Sequence, residues 1–233
     1  MQKLLGDKKA IFLFIFPTFL IFTVIVIVPI FFSVYYSALD WDGFSEGIFV
    51  GFKNYIDLFQ NNIDGFPKAV LNSLLLAVLS VGIQLPIALI LALTLARGVK
   101  GEKTFRTVYF IPVIISTVII GQLWSRIYNP DYGLLNTVLR SIGLDNLAGR
   151  WLADPEQALG SVFVVIVWQY IGYHMLIMYA SAKSISSEIY EAALIDGANE
   201  FAIATRVTIP LMKPIIRTCI IFAVTGSFKS FDL

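Results

Sequence analysis

The sequence predicts an all-α polytopic membrane protein that forms a single transmembrane domain over residues 1–233. Hydrophobic side chains make up 58% of the chain and charged ones only 14%, which is far from the composition of an average soluble domain. Residues 10–38 contain no charged side chain, and this stretch is longer than a helix needs to cross a bilayer. A secretory signal is disfavoured because its apolar region is much shorter.

Four further apolar segments bring the number of predicted transmembrane helices to five. They are broadly apolar rather than alternating, which favours helices over the strands of a membrane barrel. Prolines lie inside several spans, where neighbouring helices can satisfy the carbonyl that a kink frees. Lys213 and Arg217 lie in the first turns of the last span and indicate its cytoplasmic end, because long basic side chains reach toward headgroups. The spans cover approximately residues 10–38, 69–96, 107–125, 158–182 and 211–228.

Basic residues between the spans indicate the orientation of the chain. They form three clusters: one before the first span, to which Lys3 belongs, one in the turn 97–106, and one after residue 183. The loops 39–66 and 129–157 carry more acidic than basic residues. The positive-inside rule therefore places the N-terminus, the 97–106 turn and the segment after residue 183 in the cytoplasm. Short interfacial helices are predicted in the two external loops, over residues 49–59 and 134–143.

Residues typical of an enzyme or of an ion-driven carrier are hard to find. His174 is the one histidine and lacks partners for a metal site, and 98-GVKGEKT-104 lacks the glycine that a phosphate loop places before its lysine. No Asp or Glu lies within the five spans, which disfavours a carrier that relies on buried acids. The net charge of +1 gives no reason to expect nucleic acid. We therefore expect no catalytic residue, metal or cofactor on this chain.

One polar segment between two spans, residues 183–210, is predicted to form a helix, a turn and a second helix. Ser186 or Ser187 can cap the first helix, whose early turns carry Glu188 in the place that the helix dipole favours for acids. Gly197 can adopt the left-handed conformation that ends this helix. A second helix is then expected from about residue 199 until the prolines at 210 and 214 disturb it.

The surface of this segment indicates a partner. Its first helix is apolar on more than one side, so we expect the protein's own bundle to cover one face and a partner the other. Small side chains would permit close approach of that partner. The apolar residues are Ile189, Tyr190, Leu194 and Ile195, and the small ones are Ala192, Ala193 and Ala198.

The same segment carries a family signature. Glu191-Ala192-Ala193, then Asp196-Gly197-Ala198, then Pro210 resemble the "EAA" motif of membrane subunits of binding-protein-dependent ABC importers. Residues 183–210 are therefore called the EAA loop below. The likeness extends along most of the chain, which is similar to the sugar-permease, maltose-type branch of this family. It includes the segments 49-FVGFKNY-55, 106-RTVYFIP-112, 121-GQLW-124 and 128-YNPDYGLLN-136.

This resemblance implies a permease subunit without ATP hydrolysis of its own. The EAA loop would be the coupling element that sits in a cleft of a separate cytoplasmic ATPase dimer, which binds ATP and Mg²⁺. Glu191 would make polar contact there, the alanines would permit close approach, Gly197 would set the turn, and Asp196 would cap or brace the second helix. The family implies a second, different permease subunit, an extracytoplasmic solute-binding protein, and the cytoplasmic membrane of a bacterium or archaeon.

Three features depart from the family pattern. The family has an aromatic residue where this chain has Ala204, and a proline before the motif where it has Ser186. Its core fold has six spans, so a further span of about 20 apolar residues is expected beyond Leu233. Two alternatives to a working permease subunit therefore stay open, namely a self-contained membrane carrier and an inactive truncated fragment.

The substrate path is predicted from polar and aromatic residues within the spans. Gln122, Gln169, Tyr173 and His174 suit the hydroxyl groups of a sugar, although hydrogen bonds between helices would explain them equally well. Sugars and oligosaccharides are the solutes that the resembled branch implies, and glycerol phosphates and related polyols stay open.

Overall fold

The structure is a computed structural model that describes residues 8–60 and 65–230, with side chains from residue 12 onward. Two compact units are present, Met1–Val70 and Leu71–Leu233. Helices account for nearly all regular structure in the described residues, which confirms the predicted all-α class. Lys3 of the N-terminal basic cluster and the chain end at Leu233 lie outside these residues.

The first unit contains a long apolar helix, a short ladder and an amphipathic helix. In chain order its elements are α1 (Lys8–Phe22), a π-helical turn (Thr23–Ile27), α2 (Val28–Ser37), β1 (Leu39–Asp40), β2 (Ile48–Phe49) and α3 (Lys53–Gln60). The strands pair antiparallel, with Leu39 opposite Phe49. The Asn54 side-chain amide of α3 donates to the carbonyls of Ser37 and Leu39 at 3.0 and 2.8 Å, which attaches α3 to the end of α2. Helix α3 overlaps the predicted interfacial segment 49–59 and ends one residue beyond it, at Gln60.

The remaining elements are helices joined by short turns. They are α4 (Phe66–Leu79), α5 (Leu85–Ala96), α6 (Glu102–Ile114), α7 (Thr117–Ile127), α8 (Leu134–Ser141), α9 (Pro155–Lys183), α10 (Ser187–Ile195), α11 (Glu200–Ala202), α12 (Ile209–Leu211) and α13 (Lys213–Phe228). A π-helical turn joins α4 to α5 at Ser80–Gln84, and another joins α11 to α12 at Ile203–Thr208. Two 3₁₀ turns lie at Asp145–Leu147 and Trp151–Ala153.

Three helical stretches of the described residues are long and apolar enough to cross a membrane, namely Phe12–Ser37, Phe66–Ala96 and Pro155–Lys183. Two bent pairs raise the number of candidate spans to as many as five, if each pair is one span. The predicted third span is not one straight helix, because the chain bends by 99° between α6 and α7. The bend occurs where Ile115 and Ser116 adopt extended backbone with ψ of 138° and 137°. The second bent pair, Glu200–Leu211 and Lys213–Phe228, meets at 71°.

Three of the prolines follow π-helical turns rather than sharp breaks. Pro29, Pro86 and Pro210 each stand at the start of an α-helix that continues such a turn. A proline cannot donate to the carbonyl four residues earlier, and its ring clashes with that carbonyl in a regular helix. The wider π turn relieves this clash while the helix stays continuous. The disturbance expected at Pro210 takes this form.

The core of the second unit lies where α5 and α9 pack together. Ala88 and Ala92 of α5 and Met175 of α9 are fully buried, so small and flexible side chains fill this interface. One turn earlier in α9, Gly172 approaches α6 so closely that a Cβ atom would lie 1.8 Å from the carbonyl oxygen of Tyr109. Helices that approach this closely through small residues are typical of membrane bundles.

Candidate functional site

The first helix of the EAA loop begins as predicted. Ser186 is the N-cap of α10, and its hydroxyl accepts a hydrogen bond from the backbone N–H of Glu188 at 3.3 Å. Such a cap satisfies one of the amide groups that a helix N-terminus leaves without a partner. Ser186, where the family has proline, therefore preserves the start of the helix.

The turn at Gly197 is a Schellman motif. The N–H of Ala198 donates to the carbonyl of Ala193, and the N–H of Gly197 donates to that of Leu194, both at 3.0 Å. Gly197 has a φ of +79°, in the left-handed region that a residue with a Cβ atom enters at a cost of about 1–2 kcal/mol. The predicted role of Gly197 in the turn is confirmed, and the motif fixes Asp196 and Ala198 beside it.

The second helix is capped by Asn199 and not by Asp196. The Asn199 side-chain oxygen accepts from the N–H of Ala202 at 2.8 Å, whereas Asp196 is the C-terminal cap of α10. Asp196 is expected to cap or brace the second helix; the capping alternative is wrong, because the left-handed turn at Gly197 lies between the two, and the bracing alternative stays a prediction. Pro210, half-buried, stands at the start of α12, just before the bend at Met212.

The outer face of the EAA loop forms a groove of about 550 Å³ between its two helices. Four of the predicted site residues line it: Ala193, Asp196, Gly197 and Ala198. Glu191 and Ala192 are exposed outside the groove lining, and Pro210 also lies apart from it. Phe201 lines the groove as well, with 76% of its surface exposed, and Ile195 at the end of α10 is 86% exposed.

Phe201 is a groove-lining residue that sequence reasoning missed. The family likeness directs attention to position 204, where this chain has alanine, and Phe201 lies one helical turn earlier in the same helix. Its aromatic character was readable from the sequence, but its exposure beside Gly197 depends on the angle between the two helices.

The inner side of the EAA loop is attached to the helices around it. The Arg97 guanidinium donates to a Glu200 carboxylate oxygen at 2.5 Å and to the Glu200 backbone carbonyl at 3.4 Å. Lys183 pairs with Glu102 at 3.5 Å, and the Tyr179 hydroxyl also donates to Glu102. The Tyr190 hydroxyl donates to the Ala182 carbonyl at 3.5 Å. Tyr190 thus attaches α10 to the end of α9, although no residue of α10 is buried, and the coverage of one whole face that the sequence predicts stays a prediction.

Two of the four predicted path residues meet in a cavity. Tyr173 and His174 of α9 line a cavity of about 390 Å³, together with Ser80 and Gln84 from the turn between α4 and α5. His174 is 97% buried, and its Nδ1 has no hydrogen-bond partner within the described residues. Unpartnered buried polar atoms are rare in proteins, and this one belongs to a residue of the cavity lining. Further lining residues are Thr117, Tyr170, Phe222 and Thr225.

The structure does not bring the other two predicted residues to this cavity. Gln169 is 98% buried, but it does not line the cavity, and its Oε1 has no partner within the described part of the chain. Gln122 lies exposed on α7. Helical spacing explains the difference for Gln169, because Ile166, Tyr170 and His174 line the cavity from one face of α9 and Gln169 lies to one side of that face.

Known proteins resemble the chain over nearly its whole length. The probable ABC transporter permease protein YurN of Bacillus subtilis is 40% identical over 229 residues, which are 97% of this chain and 77% of that protein. The diacetylchitobiose uptake system permease protein NgcF of Streptomyces coelicolor is 34% identical, covering 99% of this chain and 68% of NgcF. The trehalose/maltose transport system permease protein MalF of Thermococcus litoralis is 29% identical over 97% of this chain and 76% of that protein.

A solved structure shares the fold. It is the crystal structure of a bacterial ABC transporter involved in the import of the acidic polysaccharide alginate, with a TM-score of 0.77 and 26% sequence identity. The match covers 95% of this chain and 74% of that one. The family model for the binding-protein-dependent transport system inner membrane component matches residues 84–233, which include the EAA loop. This chain therefore belongs to the family of inner membrane permease components of binding-protein-dependent ABC transport systems.

Proposed function

We propose that this chain forms one half of the membrane path of an ATP-driven importer and that its EAA loop docks on a separate ATPase dimer. ATP and Mg²⁺ bind that dimer, whose closure changes the side of the membrane from which the path is open. The observation that carries the proposal is the exposed groove between the two helices of the EAA loop, held rigid by the turn at Gly197.

Side-chain exposure supports a protein partner at this groove. Ile195 and Phe201 expose 86% and 76% of their surfaces on a loop whose other face is already attached to the bundle. Large apolar side chains that cluster on one face are typical of interaction sites. The small residues Ala193, Gly197 and Ala198, which line the groove with Phe201, leave room for an inserted element.

For the solute we propose a sugar or oligosaccharide. The cavity beside His174 combines hydroxyl, amide and aromatic side chains, which suit the alternating polar and apolar faces of a sugar ring. Relatives named for diacetylchitobiose and for trehalose and maltose support this class. Tyr173 and His174 line the proposed path directly, and Gln122 and Gln169 keep only an indirect role in this proposal.

The remaining partners and the orientation follow from the family and the loop charges. We place the N-terminus and the EAA loop in the cytoplasm of a bacterium or archaeon, where basic residues are retained. A second, different permease subunit completes the path, a solute-binding protein meets the opposite face, and lipid surrounds the spans.

The experiment is a pull-down in mild detergent with the ATPase subunits encoded beside this chain. Gly197→Pro should abolish ATPase retention, because proline cannot adopt a φ of +79°. Gly143→Pro is the matched control: Gly143 also follows a helix, has a φ of +77°, and lies far along the chain from the EAA loop. Equal retention by both variants, or no retention by the unmodified chain, would refute the docking proposal.

A further inference from the structure

Two ion pairs of opposite polarity connect the 97–106 turn with the EAA loop. In one, the turn supplies the cation Arg97 and the loop the anion Glu200. In the other, the turn supplies the anion Glu102 and the loop the cation Lys183. A uniform attraction between a basic and an acidic surface would tolerate sliding, whereas reversed pairs define one alignment of the two segments.

The Arg97 contact is more than a charge pair. Its two terminal nitrogens reach the side chain and the backbone carbonyl of Glu200, so the planar guanidinium holds this residue in one orientation. Glu200 is the first residue of α11, directly after its cap Asn199. A displacement of the second EAA helix therefore moves the two oxygen atoms of Glu200 to which Arg97 donates.

Arg97 stands at the end of the helix that carries one wall of the cavity. It is the C-terminal cap of α5, and the π-helical turn preceding α5 presents Ser80 and Gln84 to the cavity. The path from Arg97 to Gln84 is helical and about 20 Å long at 1.5 Å per residue. A helix transmits displacement along its axis, and the π turn at Ser80–Gln84 is a place where helical geometry changes readily.

The EAA loop also reaches this wall along the chain, because α9 and α13 on either side of the loop both contact the π turn at Ser80–Gln84. Covalently, the loop continues from α9 and into α12 and α13, and α13 is bent by 71° relative to the segment before it. Helix α5 is separated from Glu200 by 103 residues of sequence. Among the described residues, Arg97–Glu200 is the one ion pair that joins the second EAA helix to α5.

We infer that Arg97 and Glu200 are positioning residues that transmit movement of the EAA loop to the cavity wall formed by Ser80 and Gln84. This inference rests on the proposed docking of an ATPase. Transmission of this kind requires an element that both sites bias, and α5 with its π turn is that element. Because the pair is 46% and 79% exposed, water screens it, and its removal should leave folding and ATPase retention intact.

The test measures movement at the cavity without needing the solute. Ser80, which is 3% exposed, is replaced by Cys in the assembled complex with its ATPase and second permease. The rate of labelling by a small maleimide is compared with and without ATP and vanadate, and the chain without Ser80→Cys gives the background from buried Cys219. With Arg97 and Glu200 intact, we expect the nucleotide to change the labelling rate about fivefold.

Charge reversal supplies the decisive comparison. Arg97→Glu and Glu200→Arg should each reduce the nucleotide response below that of the unreversed chain, with the contacts of α9 and α13 carrying the remainder, and the double reversal should restore most of the loss. Lys100→Glu is the matched control, because it reverses a charge in the same turn at a residue without an ion pair in the described ranges. Its response should equal that of the unreversed chain.

The outcomes separate this inference from the docking proposal. Loss of ATPase retention by the single reversals would mean that the pair shapes the docking surface, and would overturn the inference. An unchanged response, or a double reversal that restores nothing, would also overturn it while leaving docking untouched. Failure of the unreversed chain to retain the ATPase would refute docking and, with it, the inference.

Discussion

A single methyl group at Gly172 should destabilise the helix bundle. An added Cβ atom would lie 1.8 Å from the Tyr109 carbonyl oxygen and 2.5 Å from its carbon, whereas ordinary contacts begin at 3.4 Å. The neighbours are backbone atoms of α6, so no side chain can rotate away. Helices α6 and α9 would have to separate by about 1.6 Å at this point, and we expect Gly172→Ala to cost at least the roughly 1–3 kcal/mol of an overpacked core.

The same helix provides the control. Gly160 lies in α9 with nothing within 4 Å of its Cβ position, so Gly160→Ala should stabilise the helix by about 0.5–1 kcal/mol. Both variants are compared as detergent-solubilised protein, by the temperature at which half of the monodisperse peak is lost in size-exclusion chromatography. Gly172→Ala should melt clearly below the unmodified chain and Gly160→Ala at or above it. Equal melting temperatures would show that α6 and α9 do not approach as closely as the structure places them.

Two further predictions concern the loop before α9 and the docking groove. Asn136, 2% exposed, donates to the carbonyls of Pro130 and Gly149 and accepts from the Trp151 indole. Asn136→Leu should therefore lower the free energy of unfolding by roughly 1–3 kcal/mol and speed proteolysis of residues 128–153. Unchanged cleavage would contradict this hydrogen-bond network. Phe201→Ser should weaken ATPase retention at least about tenfold, as for an aromatic anchor that the partner buries. The control is Phe44→Ser, at a residue 98% exposed in the other unit, which should leave retention unchanged. Equal retention by the two variants would show that Phe201 is not part of the interface.

The helices and caps of this protein were largely predictable because they depend on local chemistry. Ser186 caps α10 through the group two residues ahead, and Gly197 ends it through its own backbone freedom. The break between α6 and α7 was not predicted, because the residues around Ser116 are as apolar as those of an unbroken span. Hydropathy shows that a segment favours lipid, but it does not show whether the helix axis continues straight or bends.

The candidate site divides in the same way. The family signature identified four groove residues, Ala193, Asp196, Gly197 and Ala198, and their role in docking stays a prediction. Asn199 as the cap of the second helix, and Phe201 as its exposed aromatic residue, became evident only when the turn at Gly197 fixed where that helix begins.

The sequence by itself determined the class of this protein, its apolar segments, its basic turns and the helix–turn–helix of the EAA loop, since each follows from side chains close together in the chain. Only the tertiary structure decided which of these elements meet. It placed Arg97 against Glu200, the Tyr109 carbonyl against Gly172, and Ser80 with His174 around one cavity. Helix packing depends on how whole surfaces fit together, and the hydrophobic periodicity of one helix does not show which distant helix it will contact.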